Sequence, residues 1–124
     1  NNPAGATLNS QLTLPGNLSL LNGRIRTTAT NILEMLPNGV ATPNLVNPEI
    51  SFVEGPMRKI GNDPDFTFTV GRGNVYAPIT MNAVSGAGID DVFTAEYIRA
   101  NPQSAIGSAY DALSNFDHIS YVEY

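Results

Sequence analysis

The sequence predicts an α+β domain made of an N-terminal β-hairpin, an antiparallel sheet meander and two C-terminal α-helices. Three observations carry this expectation. Apolar and polar residues alternate on both sides of a Pro-Gly turn within residues 6–21, short β-branched and aromatic segments keep period two as far as residue 81, and the period becomes helical from residue 90.

Residues 1–5 (Asn-Asn-Pro-Ala-Gly) read as a flexible arm, because nothing apolar anchors them. Leu8, Leu12, Leu14, Leu18 and Leu20 then alternate with polar residues around Pro15-Gly16-Asn17, the pattern of a hairpin. Arg24–Thr30 is alternating and β-branched and predicts a strand, which residues 31–36 either extend or end in a helical turn. Pro37–Pro48 holds three Pro, three Asn and one Gly, and predicts a long loop. Glu49–Val53 is a strand stopped by Gly55-Pro56, and Asp65–Val70 is a strand entered through the turn Gly61–Pro64. Gly71–Asn74 predicts a tight turn into Val75–Met81, where Pro78, lacking a donor, marks an edge or a break.

Asp90 and Asp91 at the start and Arg99 at the end complement a helix dipole, with Phe93 and Tyr97 spaced i, i+4 between them. Asn101-Pro102 opens a second helix whose stripe is Ile106, Ala109, Tyr110 and Leu113, so helices are expected over residues 90–115. Residues 116–124 form a tail that alternates like a short strand or arm. No internal repeat is legible, and residues 1–124 read as one domain.

With no Cys, thiol nucleophiles, Cys-ligated zinc and disulfides are excluded. Charged residues make up 14% of the chain against about 25% in average domains, and Asn alone occurs 14 times, so the surface is built from uncharged polar groups. Six Lys or Arg against eleven Asp or Glu leave a net charge of −5, which argues against a strongly basic nucleic-acid binder and leaves room for one local basic face. No run approaches the roughly 20 apolar residues of a membrane span, and no signal-peptide pattern opens the chain, so no membrane partner is expected.

Catalytic chemistry finds little support. The one histidine, His118, follows Asp117 directly, and sequence neighbours point apart on strand and helix alike. Gly71-Arg72-Gly73 and Gly86-Ala87-Gly88 complete no phosphate-binding pattern, and Asp90 and Asp91 would repel an anion beside the second. The carboxylate pairs Asp63/Asp65 and Asp90/Asp91 have sufficient local roles in a turn and at a helix start. No metal-ligand spacing occurs, so neither an enzyme nor a cofactor or metal site is expected.

What remains is a pattern on the strands. With Phe66, Phe68, Val70, Ile79, Met81, Ile50 and Phe52 facing a core, the opposite face carries Ser51, Thr67, Thr69, Tyr76, Thr80, Thr28, Thr30, Arg24 and Arg26. This is either a solvated sheet face or an RNA-contacting one. In the second case Arg24, Arg26, Lys59 and Arg72 meet phosphates while Thr67, Thr69 and Tyr76 touch unpaired bases.

The hairpin at 6–21, the polar loop at 37–48, the strands at 49–53 and 65–81 and the helices at 90–115 together resemble the coat proteins of the small single-stranded RNA bacteriophages. Leu36-Pro37-Asn38-Gly39-Val40-Ala41 and Arg99-Ala100-Asn101-Pro102 are similar in kind to stretches of that family. The resemblance implies a homodimer whose sheet faces packaged single-stranded RNA and whose helices pack on the sheet of the partner subunit, with dimers closing into an icosahedral capsid. The sequence departs from the family in its fewer basic residues and longer tail.

The expected function is therefore a self-assembling virion structural protein, a coat subunit enclosing an RNA genome. The alternatives are a phage head-decoration protein, a secreted pilin-like filament subunit, or a small α+β ligand-binding domain or enzyme using Tyr76, Asp65 or His118.

Overall fold

The computed structural model describes residues 2–82 and 84–100. Thirteen strands are formed among these residues: β1 (Ala6–Thr7), β2 (Leu12–Leu14), β3 (Leu18–Ser19), β4 (Ile25–Arg26), β5 (Leu33–Met35), β6 (Ala41–Thr42), β7 (Val53–Glu54), β8 (Met57–Ile60), β9 (Asp65–Phe68), β10 (Val70–Arg72), β11 (Val75–Tyr76), β12 (Ile79–Asn82) and β13 (Val92–Ala95). A single 3-10 turn, Pro48–Ile50, precedes β7.

Pairing skips two strands at a time. β1, β4, β7 and β10 run parallel in one sheet, β2, β5 and β8 in a second, and β3 and β6 in a third. The chain is thus a coil of three short strands per turn, not an antiparallel meander. β9 completes the third turn and runs beside β6 without joining its ladder. The far end is closed by antiparallel returns: β11 on β10, β13 on β8 and β12 on β9.

The period-two pattern sets which side chains point into this coil. Inward rows in register are Ala6–Ile25–Val53–Val70 on the first face and Leu12–Leu33–Met57–Ala95 on the second. Buried Leu20, Phe66 and Phe68 join these rows, with Phe66 and Phe68 edge to face at 4.9 Å. Outward rows carry cross-strand ion pairs instead, Arg26 with Glu54 at 3.4 Å and Arg58 with Glu34 at 3.3 Å.

Several expectations are corrected here. The hairpin at 6–21 does not form, because β2 and β3 pair with β5 and β6 rather than with each other. A two-residue hairpin needs positive φ in its turn, and neither Gly16 nor Asn17 adopts it. Pro15-Gly16-Asn17 is a corner of the coil. The antiparallel turn at Gly73, with φ 58°, does form and joins β10 to β11.

Among the described residues the fold is nearly all β, and the helix expected from residue 90 is replaced by β13. Asp91 builds a turn, its Oδ2 accepting from the Gly88 N–H at 2.9 Å and its carbonyl from the Gly61 N–H at 2.9 Å. Val92, Phe93 and Thr94 then supply a β-prone stretch that completes the edge of β8, so tertiary pairing outweighs the i, i+4 spacing. The second helix, expected over residues 101–115, and the tail at 116–124 lie outside the described residues.

Two glycines permit close approach. Gly55 has φ 122° and faces the Thr27 carbonyl where a Cβ would collide, while Thr27 donates its hydroxyl to the Pro56 carbonyl at 2.8 Å. Gly71 lies against the Phe52 ring and the Val75 carbonyl, so a side chain there would push both.

Candidate functional site

The seven residues expected to meet RNA are dispersed. Lys59 belongs to the inward row Leu14–Met35–Lys59–Phe93 and has no exposed surface, so it is unavailable to a phosphate. Thr69 is also fully buried, its hydroxyl 3.9 Å from the Met57 sulfur, and the fully buried Phe52 lies on the outer side of its sheet. Ser51, expected on the polar face, is buried and donates to the Gly23 carbonyl at 2.8 Å, whereas Ile79, expected in the core, is exposed. Thr67 sits on the third face, paired with Thr80 at 3.0 Å.

Arg24, Arg26, Arg72 and Tyr76 do share the first face, and each basic group already has a partner. The Arg24 guanidinium lies 4.7 Å over the Phe52 ring and 3.3 Å from Asn74 Oδ1. Arg26 faces Glu54, and Arg72 lies 3.9 Å from Glu96. Tyr76 packs against Phe52 at 6.2 Å, and burial pushes its phenol above the usual value. Arginines already partnered by carboxylates, amides and an aromatic ring offer little positive field to a phosphate backbone.

Beside Arg24 a polar cleft of about 510 Å³ opens, lined in part by Arg24, Arg26, Asn22, Asn47, Glu49 and Asn74. Guanidinium and amide groups can donate to carboxylate or hydroxyl oxygens here. Tyr76 and Asp65, the cavity residues anticipated for a ligand-binding domain, do not line it, and His118 lies outside the described residues.

The more distinctive surface is the end of the coil formed by the first turn. Among the described residues β1, β2 and β3 are each paired on one side only, and their other edges present free backbone donors and acceptors. Burial falls away toward this end at equivalent inward positions. Met57 and Leu33 are 0% exposed, and Leu12, one turn further out, is 38% exposed. The same gradient runs from buried Val53 through half-buried Ile25 to exposed Ala6.

This end also carries no charge. Residues 1–23 contain no Asp, Glu, Lys, Arg or His, and every charged residue of the chain begins at Arg24. The segment's lack of charge was legible in the sequence; the open edges were not, since they depend on which strands pair. Nearby, Leu45 and Val46 are 84% and 95% exposed on a loop held by Asn44, whose Oδ1 accepts from the Val46 and Asn47 N–H groups at 2.9 Å and whose Nδ2 donates to the Leu21 carbonyl. The composition of residues 37–48 predicts only a polar loop here.

Among the described residues no cluster of three or more potential ligands could hold a metal, and no helix is long and apolar enough to cross a membrane. Comparison with known proteins finds no matching family model, curated protein or solved structure.

Proposed function

We propose that the chain is a structural building block of a larger assembly, a short β-coil that joins neighbouring subunits at its open end, as a component of a virion or a surface filament. The observation that supports this is the burial gradient. Leu12 occupies the inward position that is sealed at Leu33 and Met57, and among the described residues no strand lies beyond β2 to cover it, as another strand layer would. Enclosing RNA on a sheet face is not part of this proposal, because Lys59 and Thr69 are buried and Arg24, Arg26 and Arg72 are already partnered.

Light scattering on the 124-residue chain across a concentration series tests the reading. Assembly beyond a monomer supports it, and a monomer at every concentration overturns it.

A further inference from the structure

We infer that the partner at the open end is a second copy of this chain, docked head to head about a two-fold axis through Thr13. The inference rests on the assembly reading above and adds the identity and geometry of the partner.

Polarity of the coil limits what can dock. The far end is closed by β11, β12 and β13 running antiparallel to their neighbours, so it does not present the parallel edges that would continue the coil. It also carries deterrents to edge pairing, with Pro78 preceding β12 and Asp90, Asp91 and Glu96 flanking β13. The first-turn end has no charged residue in or beside β1, β2 or β3, and its nearest proline, Pro15, follows β2. Head-to-tail stacking into a filament is therefore disfavoured. Two copies meeting open end to open end use up the open end that the described residues present, and the assembly closes.

Electrostatics favour the same contact. Each copy carries a net charge of −5, so copies repel through most of their surfaces, and a self-contact is least opposed where residues 1–23 carry no charge.

The axis follows from strand parity. A two-fold perpendicular to the coil reverses strand direction, so one edge strand pairs antiparallel with its own copy while the other two pair with each other. β2 has three residues, with Leu12 and Leu14 inward and Thr13 outward. Centring the axis on Thr13 sets Leu12 against the partner's Leu14, and inward side chains stay inward. Parity alone would equally allow an axis on Thr7 or Ser19, but β2 is the middle strand of the first turn, so only an axis on β2 brings β1 and β3 of the two copies to the same separation as the β2 pair. Those strands are instead placed against each other across the interface. Thr13 then meets its own counterpart on the outer surface, within the 4.4–6.8 Å Cα separation that a disulfide requires.

The absence of native Cys makes the test direct. In the 124-residue chain, Thr13→Cys is oxidised and run on non-reducing gels beside Ser19→Cys, with light scattering of the unmodified chain and of Leu12→Lys. The expected result is an unmodified dimer, covalent dimers from Thr13→Cys and not from Ser19→Cys, and dimer affinity about a hundredfold weaker in Leu12→Lys with its circular dichroism unchanged. Open-ended fibres, or an oligomer in which Thr13→Cys fails to cross-link, overturn the head-to-head geometry and leave the assembly reading standing. A monomeric unmodified chain overturns both.

Discussion

The Lys59 ammonium lies 2.5 Å from Asp63 Oδ2 inside the coil, at a position whose in-register neighbours are Met35 and Phe93. Lys59 also donates to the carbonyls of Leu36 and Ile60 at 2.8 and 2.9 Å, and Asp63 Oδ1 accepts from the Asn38 N–H at 2.7 Å. The Phe66 ring lies 5.4 Å from the ammonium. One buried cation thus ties β8 to the corner after β5 and to the turn before β9.

Removing the anion strands the cation. Asp63→Asn is expected to destabilise the fold by about 3 kcal/mol, because a fully buried ammonium loses its counter-charge. Lys59→Met is expected to cost less, since an unbranched thioether fills the inward slot without a charge to solvate. Urea titrations of both variants check the order, and a Lys59→Met loss larger than that of Asp63→Asn contradicts it.

Acid should weaken the same contact. Burial alone would raise the Asp63 carboxyl, but hydrogen bonds from Lys59 and the Asn38 N–H, with the Lys59 charge, hold it below the usual carboxylate value. A depressed folded value means the contribution is present above the unfolded value of about 3.9 and is lost as pH falls through the folded one. Unfolding free energies of the unmodified chain and Asp63→Asn should therefore differ at neutral pH and converge below about pH 4. A gap that persists there would exclude the ion pair as its cause.

Phe52 depends on the missing side chain at position 71. Gly71→Ala should cost about 1–3 kcal/mol, because its Cβ would press on the Phe52 ring and the Val75 carbonyl. Thermal melts give the loss, and a change in the near-ultraviolet circular dichroism of Tyr76 should accompany it, since that ring packs on Phe52.

Equivalent leucines in successive turns should differ in what they stabilise. Leu33→Ala is expected to cost about 3 kcal/mol at a fully buried site, and Leu12→Ala under about 1 kcal/mol in dilute solution, where no second copy covers it. Equal losses would refute the burial gradient.

Much of the local structure is legible in the sequence. The alternation of Leu12, Leu14, Leu18 and Leu20 marks strand residues whose apolar side faces inward, and the break at Pro78 falls between β11 and β12. The turn at Gly73 joins antiparallel strands as its glycines suggest. The coil itself was hidden because its turns are unequal. Along the first face the register steps from Ala6 to Ile25, Val53 and Val70, advances of 19, 28 and 17 residues, so no fixed period marks the repeat. Lys59 was misplaced because an isolated lysine reads as solvated until its counter-charge is known to sit beside it.

The sequence by itself determined that the segments around Leu12–Leu14, Leu18–Ser19, Ile25–Arg26, Asp65–Phe68 and Val75–Tyr76 are extended and that a tight turn falls at Gly73, because these follow from side-chain alternation and from local backbone preferences. Only the tertiary structure decided that β2 joins β5 rather than β3, that residues 92–95 complete a sheet rather than a helix, and that β1, β2 and β3 are edge strands among the described residues. The backbone groups that form a ladder are the same at every residue, so the choice of partner strand rests on how whole faces close around a shared core.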